Sequence, residues 1–386
     1  MNTEKSRRNF LKSSMGVAAG VLTLSDAAAG VADNLSKYKS VVIGNPKVKP
    51  SIKFAAIGLN HGHIYGQVEA VKRGGGELVA FYAKEPELIS AFQKRFPEAK
   101  LARSEKEILE DKSIQLVTSA AIPVERGPLG IQVMKHGKDY LSDKPGITTL
   151  EQLAEVRKVQ KQTGRIYSIM YSERLENKAT IKARELVEQG AIGRVLQTIG
   201  TGPHRMNPKS RPEWFFDRSK YGGILCDIGS HQFDQFLYFT GSTEAEIVAS
   251  QVGNLNNPQY PGLEDFGDAM IRGNAGTGYV RVDWFTPDGL KTWGDGRLTI
   301  LGTEGYIELR KYVDIAGRDG GNHLFLVNQK GTEYIDCNNV PLPFGEQFVS
   351  DIVNRTETAM PQSICFLATE LTLKAQKAAK VITAKK

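Results

Sequence analysis

The chain has 386 residues, 40% of them hydrophobic and 24% charged, with a formal net charge of +7. That length suits two domains with sizeable cores, and the composition is that of an ordinary globular protein, not of a disordered or fibrous one. The positive residues are scattered, with no Lys/Arg block beyond the N-terminus, which argues against nucleic-acid binding.

The first element is an address. Ser6-Arg7-Arg8-Asn9-Phe10-Leu11-Lys12 has the form of a twin-arginine export signal, followed by a weakly apolar stretch from Ser13 to Leu24. Ala27-Ala28-Ala29 offers a small-residue cleavage site, so residues 1–29 read as a signal peptide for the periplasm. The apolar stretch is too short and too Gly-rich for a lasting transmembrane helix. Residues 30–50 are polar with scattered prolines and read as a tether. The twin-arginine route carries folded cargo, often cargo that loads a cofactor before export.

Strand–helix units follow. Ser51–Ile57 is a buried strand that runs into Gly58-Leu59-Asn60-His61-Gly62-His63 and then a helix to about Val71. Strand, Gly-containing turn and helix form the context in which a dinucleotide pyrophosphate sits on a helix N-terminus. Of the G-x-G-x-x-G positions only Gly58 matches; Asn60 and His63 fill the others, and Asn tolerates left-handed dihedrals. His61 and His63 invite a metal reading, but no Cys or carboxylate stands near them in sequence. They are therefore expected to touch cofactor or substrate, with no metal.

Glu77–Tyr82 is the second strand, followed by a helix through Phe96 that Pro97 stops. In NAD-binding folds an acid at the end of this strand holds the ribose diol. Here Ala83 falls in that place with Lys84 beside it, which favours NADP over NAD. A helix over Ser104–Glu110, a strand over Ile114–Ala120, a helix over Gly127–His136 and a strand over Asp139–Ser142 complete the pattern. Such alternation predicts a doubly wound parallel sheet over residues 51–165, with ligands at the carboxyl ends of its strands. Lys144 stands at one such end, pinned by Pro145.

From Ile166 the pattern changes. A helix over Ala179–Gln189 leads to a strand over Arg194–Gly200, and later runs (Glu246–Gln251, Phe266–Arg272, Thr277–Trp284, Arg297–Leu301, Tyr306–Leu309) read as strands. Residues 166–345 therefore form an α+β domain with an open, mostly antiparallel sheet. Residues 346–386 read as a helix packing back on the first domain. The irregular segment His204–Asp217 supplies substrate-facing candidates, His204 and Trp214, because aromatic faces stack on sugars and imidazoles bond hydroxyls. Tyr171 and Arg174 are weaker candidates for the same cleft.

Gly222-Gly223 then opens a stretch with Asp227, His231 and Asp234 at i, i+4 and i+7, one face of a helix. A histidine with a carboxylate on either side suits a proton-handling base or a metal site. The three cysteines, Cys226, Cys337 and Cys365, are far apart and odd in number, which excludes a disulfide framework. Cys226 reads as a buried structural thiol.

Taken in order, Asp143-Lys144-Pro145, Gly190-Ala191-Ile192-Gly193, Gly222-Gly223 with Asp227, Gly229, His231 and Asp234, and Gly302-Thr303-Glu304-Gly305 resemble the signatures of the glucose–fructose oxidoreductase / inositol dehydrogenase / MocA family. Asp143 replaces that family's Glu, and the glycine fingerprint is degenerate. The resemblance implies an N-terminal Rossmann domain, a tightly bound NADP or NAD, a sugar or glycoside substrate and a homodimer or homotetramer built on the open sheet. It implies hydride transfer, with His231 as proton acceptor, Lys144 stabilising the alkoxide and Asp227 binding a neighbouring hydroxyl or orienting His231. Asp234 is expected only to support the helix face. NAD-assisted glycoside cleavage, a non-catalytic sugar-binding protein and a metal hydrolase using Asp227 and His231 are the competing readings.

Overall fold

The computed structural model describes residues 52–383; the export signal and the tether expected from the sequence lie outside them. Strands β1 (Ile52–Ile57), β2 (Gly76–Tyr82), β3 (Lys100–Leu101), β4 (Leu116–Ser119), β5 (Asp139–Asp143) and β6 (Tyr167–Met170) form a sheet in the order β3-β2-β1-β4-β5-β6. All five pairings are parallel. β4, β5 and β6 are buried at every residue, as a sheet covered on both faces requires. The cover comes from α1 (His63–Arg73), α2 (Pro86–Arg95), α3 (Glu105–Glu110), α4 (Pro123–Lys135) and α5 (Leu150–Thr163). α4 opens on Pro123, whose missing N–H costs nothing in the first turn. α5, which the sequence pattern did not single out, is capped by Thr149 and ends on the left-handed Gly164. The strand order reverses direction between β1 and β4, so a crevice opens at their carboxyl ends.

The second sheet has the order β14-β13-β12-β11-β7-β10-β9-β8-β15. Its strands are β7 (Val195–Pro203), β8 (Ala245–Asn254), β9 (Phe266–Gly273), β10 (Thr277–Asp283), β11 (Arg297–Gly302), β12 (Gly305–Arg310), β13 (His323–Asn328), β14 (Gly331–Asp336) and β15 (Lys380–Thr383). Only the β7–β10 and β8–β15 pairings are parallel, in keeping with the mostly antiparallel sheet expected. Short α6 (Ser172–Leu175) leads into α7 (Lys178–Glu188), which covers β12 and β13. α8 (Arg218–Tyr221) precedes α9 (Ser230–Thr240), which lies on β7. The opposite face of the sheet carries exposed Ile199, Met270, Leu301 and Tyr306.

Two boundaries differ from the expectation. β6 belongs to the first sheet, paired with β5, so that domain runs past residue 165. The C-terminal segment is two helices and a strand. α10 (Phe344–Asn354) packs back on the first domain against α1, as expected of this segment. α11 (Gln362–Ala378) bridges the two domains, packing on α5 and β6 of the first and on α9 and β8 of the second, and β15 extends the second sheet. A four-residue strand looks the same in sequence whichever sheet it joins; pairing decides it.

Candidate active site

A cleft of about 440 Å³ lies at the carboxyl ends of β1, β4 and β5 and is closed by residues of the second domain. One wall is the turn after β1. Gly58 has φ +76°, and a Cβ there would lie 2.5 Å from that of Ala121, so only glycine fits. Backbone bonds from Gly58 N to Tyr82 O (3.0 Å) and from His61 N to Ala120 O (3.0 Å) tie the turn to the neighbouring strand ends. Beyond it Gly62 and Gly66 face open space, and no side chain caps α1, whose first turn carries no acid. An uncapped helix start beside a glycine-containing turn fits a dinucleotide pyrophosphate.

The acid expected to be missing from the end of β2 is present three residues past the strand. Glu85 Oε1 accepts from Asn60 Nδ2 (2.8 Å) and Oε2 from the Lys84 backbone N–H (3.2 Å). The carboxylate is thereby fixed beside the turn, while the Lys84 side chain is exposed.

Asp143 gathers the histidines of that turn. Its Oδ2 accepts from His61 Nδ1 at 2.6 Å and its Oδ1 from His63 Nδ1 at 2.9 Å. The Lys144 backbone N–H donates to Oδ1 (2.8 Å), and the Arg126 guanidinium makes an ion pair with Oδ2 (3.1 Å). Burial alone would raise this carboxyl's pKa, but His63, Arg126 and His61 hold it well below the usual range. The carboxylate partner that the sequence lacked near His61 and His63 therefore arrives from β5. His, His and Asp form a donor set that could hold a metal ion. Here Oδ1 already receives two hydrogen bonds and Oδ2 one together with the Arg126 ion pair, and the guanidinium supplies the positive charge. Both imidazoles donate from Nδ1, which leaves each Nε2 as an acceptor. Arg126 also donates to the carbonyls of Lys144 and Pro145, and so shapes the turn that carries Lys144.

The opposite wall comes from the second domain. Gly222 and Gly223 take φ +89° and +101°, and a side chain on Gly223 would collide with Gln376. The chain then enters a π-helical turn, Leu225–Gly229, that runs into α9. The wider turn changes the simple i, i+4 register and aims the three polar residues differently. Asp227 faces the cleft and bonds the Lys144 ammonium at 2.9 Å. His231 lines the cleft, 2% exposed, and burial pushes its pKa down to about 3, so the imidazole is neutral. Asp234 turns away and takes a two-bond ion pair from Arg174, at 2.6 and 3.0 Å.

That pair removes Arg174 from the substrate candidates, since its guanidinium is spent in the core. Tyr171 is removed too: it is buried, with its hydroxyl on Thr369 at 3.1 Å and its ring edge-on to His231. Nor does Asp227 orient His231; it belongs to Lys144. The acid beside His231 is Glu173, in α6, which sequence reasoning missed because β6 was not recognised as the last strand of the first sheet. Seen as such, Glu173 stands just past a strand's carboxyl end.

His204 and Trp214 line the cleft as expected. His204 donates from Nδ1 to Gly202 O (3.0 Å), leaving Nε2 as an acceptor. Its ring packs on Trp293 at 4.5 Å and Trp284 at 5.4 Å, and Trp293 in turn on Tyr312 at 4.5 Å. These three aromatics come from loops without a local signal. All three cysteines are buried, and burial raises the Cys226 thiol far above its usual pKa, as a structural role requires.

Comparison with known proteins agrees with the architecture. The family model for the oxidoreductase family, NAD-binding Rossmann fold, matches residues 52–171, and that for the GFO/IDH/MocA C-terminal domain matches residues 180–308. A crystal structure described as an oxidoreductase from Erwinia carotovora atroseptica SCRI1043 has a TM-score of 0.84 and 48% identity, covering 86% of this chain and 99% of that one. Levoglucosan dehydrogenase of Pseudarthrobacter phenanthrenivorans is 28% identical over 201 residues, 51% of each chain. The scyllo-inositol 2-dehydrogenase (NADP(+)) of Bacillus subtilis is 27% identical over 168 residues, 42% of this chain and 45% of the relative. The matches thus span about half the length of these curated relatives.

Proposed function

The chain belongs to the GFO/IDH/MocA oxidoreductase family, and from that premise we propose that it exchanges hydride between a bound nicotinamide cofactor and a hydroxyl-bearing carbon of a sugar or glycoside. The observation that carries this reading is the meeting of Lys144, Asp227 and His231 in one cleft, next to the open start of α1. Bound along that start, the cofactor supplies the hydride acceptor. The residues do the rest. His231, neutral at pH 7, takes the hydroxyl proton at its cleft-facing nitrogen. The Lys144 ammonium donates to the same oxygen and stabilises the alkoxide as it forms. Asp227 orients that ammonium and offers its second oxygen to a neighbouring hydroxyl. Trp214 and the half-exposed Trp293 provide flat faces for a sugar ring, and His204 an acceptor for its hydroxyls. The two curated relatives, named for dehydrogenation of levoglucosan and of scyllo-inositol, support a polyhydroxylated ring as substrate.

The same reading prefers NAD. A carboxylate at Glu85 bonds a ribose 2′-hydroxyl and repels a 2′-phosphate, which outweighs an exposed Lys84. It also retains export through the twin-arginine signal in residues 1–29. A cofactor carried outside the cytoplasm has to stay bound and be recycled by a second substrate. The uncovered face of the second sheet, with Ile199, Met270, Leu301 and Tyr306, suits a second copy of the chain.

The test is to denature protein purified from the cytoplasm and identify what it releases, then to add sugars and glycosides to the intact protein and follow the near-ultraviolet absorbance of reduced nicotinamide. Release of a nicotinamide nucleotide and reduction by a sugar are expected. No nucleotide in protein that also fails to bind added NAD or NADP overturns the reading. Free aglycone without net reduction turns it to glycoside cleavage.

A further inference from the structure

Two buried polar atoms beside the cleft have no hydrogen-bond partner: Nδ1 of His231 and Oε1 of Glu173. Each residue is 2% exposed, so bulk water does not serve them. The atoms are complementary, one nitrogen able to carry a proton and one carboxylate oxygen able to accept it. Their surroundings place them side by side. Glu173 Oε2 accepts from Lys311 Nζ (2.6 Å) and from Gln232 Nε2 (2.9 Å), and Gln232 follows His231 in α9. Gln235 Nε2, one turn on, donates to the His231 carbonyl (2.9 Å), and its Oε1 accepts from Lys311 (2.6 Å). The bonds to Glu173 all load Oε2 and leave Oε1 free.

The charges point the same way. Around His231, burial, Lys144, His63 and Lys311 all disfavour an imidazolium, and Glu173 favours it. Asp227, on the preceding turn, is bound to Lys144, and the Tyr171 ring meets His231 edge-on. Glu173 itself faces Lys311, His231 and His204. Burial would raise its carboxyl, but Lys311 and His231 hold it far below the usual range, so it stays ionised.

We propose that Glu173 is the positioning residue for His231: its Oε1 accepts the Nδ1 proton, after a small ring rotation or through one water, and so presents Nε2 as the base. This rests on His231 being the proton acceptor. When the substrate O–H bond breaks, its proton goes to Nε2 and the electron pair stays on oxygen. The imidazolium that results lies against the Glu173 carboxylate, which does not itself take the proton. Lys311 holds the carboxylate ionised and in place. The logic is that of a carboxylate that fixes a histidine's tautomer in an acid–base pair, here delivered by the first domain to a histidine of the second.

The experiment uses the cofactor-loaded protein with a sugar that it oxidises. Glu173→Gln should lower kcat by roughly 10²–10³-fold with KM within about threefold, and move the acidic limb of the kcat–pH profile, which reports protonation of the base. In ¹⁵N spectra of the substrate-free protein, Nδ1 of His231 should be protonated in the native chain and mixed with the other tautomer in the variant. Because Glu173→Gln leaves Lys311 without its anion, the double variant Glu173→Gln/Lys311→Met separates folding from chemistry. It should regain the melting temperature and keep the low kcat. A double variant with native kcat, or a native tautomer and pH profile in Glu173→Gln, overturns the proposal. If His231→Ala itself keeps its rate, the base assignment falls; if His231→Ala is inactive and Glu173→Gln is not, only the role of Glu173 falls.

Discussion

The Lys144 ammonium stands 2.9 Å from Oδ1 of Asp227, across 83 residues of sequence and across the boundary between the two sheets. Both groups are mostly buried, with side chains 5% and 15% exposed. Burial would raise the Asp227 carboxyl, but Lys144 lowers it below its usual value, so the pair is ionic and aimed into the cleft. Removing either partner leaves an unpaired charge in a poorly solvated place.

Lys144→Ala should lower kcat by roughly 10²–10⁴-fold while nucleotide stays bound, because the lost donor acts on charge that develops only during reaction. Asp227→Asn should give a smaller loss together with a raised KM. Steady-state kinetics with nucleotide content measured alongside separates the two; an unaltered kcat in Lys144→Ala removes its role.

His231 is buried neutral, with its pKa lowered from 6.5 to about 3. The sign follows from linkage: the unfolded chain binds this proton below about pH 6.5, the folded one only near pH 3. The histidine's contribution to stability is thus complete above pH 6.5 and declines by up to about 1.4 kcal/mol per pH unit as pH falls toward 3. His231→Gln should flatten the fall in melting temperature between pH 6.5 and 4, read by calorimetry. An unchanged slope would show that the imidazole is charged in the native protein.

Arg174 pairs with Asp234 at 2.6 Å, with side chains 4% and 0% exposed. Arg174→Ala should therefore cost about 3–5 kcal/mol of stability by stranding a buried carboxylate. KM for sugar should hardly move in protein that remains folded. A large KM effect with native stability would return Arg174 to the substrate site.

Asp143 receives three hydrogen bonds, from His61, His63 and the Lys144 backbone, and an ion pair from Arg126. We expect the cluster to work as a hydrogen-bonded hub, so that metal analysis finds no stoichiometric divalent ion and chelators leave turnover unchanged. Loss of activity on chelation, restored by one added metal, would make His61, His63 and Asp143 its ligands.

Glu85→Ser should shift the ratio of NAD to NADP affinity toward NADP by about tenfold, since one charge-assisted hydrogen bond and one repulsion are lost. Lys84→Asp should change it little. Titration of nucleotide-free protein decides, and a large response to Lys84 alone would restore Lys84 as the residue that selects NADP.

Features that depend on neighbours in the chain are legible in the sequence. The strand-turn-helix over Ile52–Arg73, the left-handed Gly58, Lys144 held before Pro145 and the glycine pair ahead of His231 all follow from local backbone chemistry. Strand–helix alternation also determines the parallel sheet. What a polar side chain does is decided by partners that folding alone brings near. Asp143 and His61 lie 82 residues apart, Glu173 and Lys311 138, and Arg174 and Asp234 60. Spacing on a helix places Asp227, His231 and Asp234 on one face, yet a π turn and three distant partners give each a different task. The reason is physical: a buried charge takes its role from the opposite charge that reaches it, and sequence separation carries no information about that distance.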